Sequence, residues 1–289
     1  MLPYVEQPIF QLGPLTVHAF GIAVACAALW GMWSAERQFR RRALDLSVGT
    51  KLATWVLIAG VFGAHLFSVL FYFPDKLRAD PWLLLRVWED ISSFGGILGG
   101  VAGALLYFNV GPGREHRARQ WDYLGTIARI FPASLAIGRF GCALAHDHPG
   151  TVTTFPLAFS IRTEAALAYI TGVYRQAGVE LAPVVSDARD ASAVQGFHDL
   201  GWYEFLFLAL VIVPLFQLWG RRDRPGGFYL VAFPLLYLPV RFGLDFLRVA
   251  DVRYAGLTPA QWVAVVAMVG LGVVLVERSR RGRSALRGV

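Results

Sequence analysis

Seven stretches of mostly apolar residues, 15–33, 52–73, 91–110, 122–145, 201–219, 227–247 and 259–277, constrain this chain more than any other feature. Each holds close to the ~20 residues a helix needs to cross the ~30 Å hydrocarbon core of a bilayer. We therefore expect an all-α integral membrane protein with seven transmembrane helices. The third and fourth stretches are the least clean, because glycines dilute one and Arg129 and Arg139 interrupt the other. Only 16% of residues are charged, against ~25% in a globular domain, and the mean hydropathy is +0.50. That balance excludes disorder, collagen, a coiled coil and a disulfide-stapled secreted scaffold. Cys26 and Cys142 both lie in apolar stretches, so no disulfide framework and no paired-cysteine metal site is expected.

The connecting segments alternate in charge. Sixteen of the 27 basic residues fall in segments 34–51, 111–120, 220–226 and the C-terminal tail, Arg37, Arg40, Arg41 and Arg42 among them. Positive-inside counting then places the N-terminus outside and the C-terminus in the cytoplasm, as an odd number of spans requires. The net charge of +7 is therefore topological, and nucleic-acid binding is not expected. Residues 1–14 carry Glu6 but no lysine or arginine, so they lack the basic region of a cleavable signal. The chain reads as one membrane domain, with segment 146–200, which holds Pro149, Pro156 and Pro183, as an inserted extracytoplasmic head.

Ionisable residues inside spans are expensive, which makes each a functional candidate. On this topology His18 begins the first span, His65 lies in the outer half of the second, and Arg139 sits well along the fourth with Asp147 just beyond. Glu204 opens the fifth, while Tyr237, Arg241 and Asp245 occupy the outer half of the sixth, with Arg248 at its end. At ~100° per residue the last four share an arc of about 80°. Arg129 is the exception and snorkels toward the cytoplasmic side. Two deep arginines at similar depth, Arg139 and Arg241, suit an anion at headgroup level, because a guanidinium matches a phosphate bidentately and stays charged. The glycines Gly95, Gly96, Gly99 and Gly100 form small-xxx-small pairs, read first as close helix packing. His146 and His148 flank Asp147 and are read as solvated loop histidines, without the neighbours of a metal site.

Several stretches then resemble a known family. Gly138-Arg139-Phe140-Gly141-Cys142-Ala143-Leu144-Ala145-His146-Asp147-His148-Pro149-Gly150 is similar to the G-R-x-G-N-F-x-N-x-E-x-x-G signature of prolipoprotein diacylglyceryl transferases. His18 to Gly21, Trp88 to Gly100, His198 to Glu204, Tyr237 to Arg248 and Gly256 to Gln261 resemble further motifs of that family, in order. The resemblance implies transfer of the diacylglyceryl group of phosphatidylglycerol to the lipobox cysteine thiol of a prolipoprotein. Glycerol phosphate is released at a bacterial plasma membrane, and no metal or cofactor is implied. It also implies Arg139 and Arg241 as a phosphate clamp and His18 as candidate base, with Tyr237, Gly141, Asp147, Gly150, Glu204, Asp245 and Arg248 around the substrate.

Departures from the family pattern are specific. Phe94 or Gly95 stands where the family has a histidine, Cys142 and Ala145 replace asparagines, Asp147 and Asp245 replace glutamates, and Phe20 replaces a tyrosine. An anion clamp is kept and part of the acid–base set is lost. Two other classes therefore stay open: a non-catalytic paralogue that binds anionic lipid or a lipoprotein partner, and a transporter or channel using the same polar cavity.

Overall fold

The computed structural model describes residues 1–87, 89, 91–179, 195–249 and 251–287. Trp88, at the head of one family-like stretch, and Pro183 of the inserted segment lie outside them. The chain is mostly helical. Among the described residues, six helices are long and apolar enough to cross a membrane, spanning Ala19–Arg41, Leu46–Phe71, Arg114–Ala145, Leu200–Trp219, Phe228–Leu247 and Pro259–Val276. The glycine-diluted third stretch forms a shorter helix, Ser93–Asn109, of 17 residues.

In chain order the elements are β1 (Ile9–Leu12), β2 (Leu15–His18), α1 (Ala19–Arg41), α2 (Leu46–Phe71), α3 (Pro74–Ala79), α4 (Ser93–Asn109) and α5 (Gln120–Ala145). There follow β3 (Pro149–Thr153), β4 (Phe159–Ser160), α6 (Glu164–Gln176), β5 (Gly196–Asp199), α7 (Leu200–Phe207), α8 (Val213–Trp219), α9 (Phe228–Leu244) and α10 (Pro259–Arg287). A π-helical turn at Leu208–Ile212 joins α7 to α8. The described residues agree with a mostly helical membrane protein and add to it two small sheets, the β1–β2 hairpin and a sheet ordered β3-β5-β4. Several boundaries also move, among them the start of α2, which lies at Leu46 and not at 52. The first helix starts four residues late, because Leu15–His18 pair with β1, and continues to Arg41 through residues expected in a loop. Arginine stems cover apolar surface while their heads reach water, so a helix end tolerates them. The sixth helix stops at Leu244, and Asp245–Leu247 tighten into a 3₁₀ turn that leaves Arg248 extended (φ −68°, ψ 134°). The single helical face drawn through Tyr237, Arg241, Asp245 and Arg248 therefore holds only as far as Leu244.

Two compact units divide the chain. The first comprises Met1–Ala53, Thr126–Pro225 and Gly243–Asp251. It contains β1 to β5, α1, α6, α7, α8 and most of α5. Ile161, Ala166, Ile170, Tyr174 and Phe197 form a small core where α6 packs on β4 and β5. The second comprises Thr54–Gly125, Gly226–Phe242 and Val252–Val289. Its centre is a glycine seam between α2 and α4. A Cβ on Gly99 would lie 2.2 Å from the Ala59 carbonyl oxygen, and one on Gly95 would lie 2.4 Å from that of Gly63. The small-residue pairs are therefore packing devices, as read from sequence. His65, in the same unit, is buried with its ring nitrogens 2.6 Å from the Glu89 and 2.9 Å from the Leu83 carbonyl oxygens, so it ties the segment before α4 to α2.

Candidate active site

The last turn of α5 builds the site in the first unit. After Ala145 the chain turns through His146 in the left-handed region (φ +50°). The Asp147 N–H then donates back to the Cys142 carbonyl at 3.4 Å. This is the six-to-one bond of a helix C-terminal Schellman turn, with histidine where glycine is usual. The turn folds Asp147 and His148 back over the helix end, beside Cys142 and Arg139.

The first turn of α7 supplies the other wall. Gly201 has no side chain, and a Cβ there would meet the Cys142 Cβ at 3.0 Å and the Ala143 nitrogen at 3.1 Å. That close approach brings Glu204, one turn along α7, against Arg139, one turn back along α5. Arg139 Nε lies 3.0 Å from Glu204 Oε2, with 3% and 1% of the two side chains exposed. Burial of a guanidinium and a carboxylate together is tolerable because each neutralises the other.

Arg139 also faces the imidazole of His148, its Nη1 3.3 Å from Nε2. His148 Nδ1 is bonded to the Asp147 carboxylate. A guanidinium has only donors, so Nε2 accepts and Nδ1–H donates to Asp147. Burial would raise the Asp147 carboxyl, but His148, with Arg139 behind it, overrides this and holds it below the ordinary carboxylate range. Cys142 Sγ is 3.9 Å from the same Nη1. Cys142, Asp147 and His148 bring ligand-type atoms within 4.8 Å of one another. The Arg139 guanidinium lies against both the sulfur and the imidazole, so it competes with any cation for those ligand atoms.

A second pair lies directly behind. His146 is buried, its Nδ1 2.8 Å from Asp199 Oδ2 and its Nε2 donating to the Val5 carbonyl at 3.1 Å. Tyr4 stacks on the ring at 4.7 Å, and the Tyr169 hydroxyl donates to the His146 carbonyl. Asp199 caps α7 by accepting from the Trp202 N–H at 2.9 Å. Burial raises its carboxyl above the ordinary range despite the opposing pull of His146.

A family model described as prolipoprotein diacylglyceryl transferase matches residues 7–277. The chain belongs to that family. A phosphatidylglycerol--prolipoprotein diacylglyceryl transferase from Chromohalobacter salexigens is 27% identical over 285 residues, covering 96% of this chain and 94% of that protein. Proteins of the same name from Xanthomonas campestris pv. campestris and Escherichia coli O1:K1 are 28% identical over 289 residues and 29% over 272. They cover 96% and 92% of this chain, and 92% and 87% of their own lengths.

On this diacylglyceryl transferase chain the structure unites Arg139, Asp147 and Glu204 of the residues singled out from sequence. Gly150 pairs with Arg248 through an antiparallel bridge, and a Cβ on it would sit 2.8 Å from the Leu247 carbonyl oxygen. Its role is close backbone approach. Gly141 likewise lets α5 approach α1, its Cβ position being 2.6 Å from that of Ala23. Arg248 pairs with Asp251 at 2.7 Å, and Asp245 is fully buried in its 3₁₀ turn. In the second unit Tyr237 is buried and stacked on Phe233 at 5.1 Å, while buried Arg241 lies over the Phe94 ring at 5.6 Å. Phe94, which with Gly95 is one of the two residues that stand near the histidine of the resembled motif, thus presents an aromatic face to Arg241. His18 is exposed at the N-cap of α1 and makes no side-chain hydrogen bond among the described residues.

Sequence reasoning read His146 and His148 as solvated loop histidines, named His146 only as a conceivable substitute base, and missed His148. The structure buries His146 and places His148 against Arg139. The only signal was adjacency: an Asp-His pair directly after a helix carrying the signature arginine. Asp199 gave a weaker one, as a carboxylate opening a helix.

Proposed function

We propose that this protein transfers the diacylglyceryl group of phosphatidylglycerol to the lipobox cysteine thiol of prolipoproteins, releasing glycerol phosphate. Its relatives carry that activity in their names. The single observation that supports a catalytic role for this chain is the Arg139 cluster. A buried guanidinium is set by Glu204 on one side and faces a carboxylate-oriented imidazole on the other.

The chemistry is a substitution at carbon. The acceptor sulfur bonds to the terminal glyceryl carbon, the bond from that carbon to the phosphate ester oxygen breaks, and its electron pair leaves with glycerol phosphate. Negative charge therefore grows on the phosphate, where fixed donors stabilise the transition state more than the ground state. Arg139 fills that role. Arg241, buried and always charged, is proposed as a second phosphate-binding residue. His148 takes the thiol proton on Nε2 once Arg139 turns from that nitrogen to the lipid phosphate, with Asp147 holding the tautomer in which Nε2 carries the lone pair. His18, named from sequence as base, has no carboxylate among its described partners, so the dyad is preferred to it. Glu204 orients Arg139, and Tyr237 and Asp245 are proposed to shape the substrate environment.

The topology belongs to the same reading. The 17 residues of α4 rise ~26 Å, close to a bilayer core. Counted as a span, α4 makes seven and puts the termini on opposite sides. The arginine-rich segments then place the C-terminus in the cytoplasm. The sheet and α6 between α5 and α7 become an extracytoplasmic head in a bacterial plasma membrane.

The test is turnover by purified protein in phosphatidylglycerol micelles with a lipobox-cysteine peptide, following glycerol phosphate release and the peptide mass shift together. Arg139→Ala and Arg241→Ala should each abolish both signals while the protein stays inserted. Lipid retained by folded wild-type protein without any product would replace the transferase with a lipid-binding paralogue.

A further inference from the structure

The first unit contains a second basic site, away from the Arg139 cluster. A cavity of about 280 Å³ lies where the C-terminal half of α1, the middle of α5 and α8 meet. Three guanidiniums line it, those of Arg37, Arg41 and Arg129, and none of its lining residues is acidic. Ser34, Gln38 and Gln217 add polar groups, and Trp30 and Trp33 complete the wall on α1.

Local structure explains the convergence. Trp33, Arg37 and Arg41 are spaced four apart and share one face of α1, with the Arg37 guanidinium over the Trp33 ring at 5.5 Å. Arg129 donates to the Gly220 carbonyl at 3.3 Å at the end of α8. A Cβ on Gly220 would lie 2.0 Å from its Nη2, so the glycine makes room for the guanidinium. Both helices facing α1 are irregular here. Pro132, inside α5, is one of the lining residues, and the π-helical turn Leu208–Ile212 leads directly into Val213 and Phe216, which also line the cavity. Such turns open a helix surface and recur at functional positions.

Arg37 and Arg41 are exposed to solvent at the cavity rim and Arg129 is half-buried, and three guanidiniums converging on a cavity with no acidic lining residue concentrate positive potential that favours an anion there. We propose that this cavity binds a phosphate group, carried by an anionic phospholipid whose glycerol end enters between α1 and α8 while its acyl chains lie along the spans. The volume falls near the lower end of ligand pockets, roughly 300–1,000 Å³, enough for a headgroup and too small for a whole lipid. Arg129 and Arg139 stand ten residues apart on α5, a rise of ~15 Å. The site is therefore distinct from the transfer site and lies at the arginine-rich end of the spans. Its consequence is regulatory or stabilising: the enzyme would hold one anionic lipid it does not consume.

The experiment uses the full chain in neutral detergent. Native mass spectrometry would count retained short-chain phosphatidic acid, which has the phosphate but no glycerol leaving group, beside phosphatidylcholine of the same chain length. Wild-type protein should retain phosphatidic acid at a site that Arg37→Gln/Arg41→Gln weakens about 30-fold, taking ~1 kcal/mol for each arginine. Prolipoprotein peptide turnover should change less than about twofold in this variant, since neither residue belongs to the transfer machinery. Displacement of the lipid by millimolar inorganic phosphate would support the phosphate site and name free phosphate as a second source of the ligand. Equal retention of phosphatidylcholine, or phosphatidic acid binding unchanged in the double variant, would overturn the proposal.

Discussion

Replacing Glu204 by glutamine tests the electrostatics on which the site rests. Arg139 Nε and Glu204 Oε2 stand 3.0 Å apart with 3% and 1% of the side chains exposed. In Glu204→Gln the guanidinium keeps its charge and its burial but loses the carboxylate facing it. Breaking a buried pair from one side costs ~3–5 kcal/mol, because the surviving charge is left uncompensated. At roughly 2–4 °C per kcal/mol for a large domain, the unfolding midpoint should fall by roughly 6–20 °C in neutral detergent. Arg139→Met should fall by a similar amount, leaving the carboxylate stranded instead. The double variant removes both charges, so its loss should be smaller than the two single losses together, by about 2–3 kcal/mol of coupling. Soluble short-chain phosphatidylglycerol adds a directional check. Its phosphate offers Arg139 a replacement counter-charge, so it should raise the midpoint of Glu204→Gln more than that of wild type. Energies that add to within ~0.5 kcal/mol would refute the pair as an electrostatic unit, and with it the argument that Glu204 sets Arg139 for phosphate.

Further outcomes follow from neighbouring residues. His148→Gln should lower kcat by ~10²–10⁴ with little change in KM for lipid, while His18→Gln stays near wild type; the reverse ranking in the peptide assay would return the base to His18. Asp147 is held below its ordinary value of 3.8, so its stabilising contribution is complete above that pH and lost as pH falls through the lower folded value. Wild type should therefore gain on Asp147→Asn in melting temperature as pH rises through the lowered folded value toward 3.8, with the gain complete above 3.8 and lost on further acidification. Asp199 has the opposite sign. Its carboxyl is raised, so its contribution is greatest below 3.8 and is lost as pH rises through the folded value. Asp199→Asn, which keeps an acceptor for the Trp202 N–H, should gain on wild type with rising pH; a pH-independent difference would contradict the burial argument. Gly99→Val should disrupt the α2–α4 seam and lower expression of folded protein, because its Cβ would sit 2.2 Å from the Ala59 carbonyl oxygen; a folded, active Gly99→Val would show that the helices can separate.

Much of the molecule follows from local chemistry that a sequence displays directly. Hydropathy summed over ~20 residues finds the long helices, because in lipid the backbone has to satisfy its own hydrogen bonds, but it misses ends that run on into charged segments, to Arg41 in α1 and back to Leu46 in α2. The glycine pairs of α4 announced a close approach, and Arg139, Arg241 and Glu204 announced themselves as charges where charge is costly. Other features depended on distance in space. His146 meets Asp199 across 53 residues, and nothing in either local sequence says that Tyr4 and Val5 cover the ring. His148 became part of the site only because a Schellman turn folds it back over α5, and because Gly201 admits α7 closely enough for Glu204 to set Arg139. The end of α9 at Leu244 likewise overrode a helical period that ran on in the sequence. Sequence by itself determined which residues carry charge into the membrane and which stretches are helical, since both depend on composition and spacing along one segment. Tertiary packing alone decided which of those charges meet, because contact between distant segments is set by backbone turns and by the few positions small enough to let helices touch.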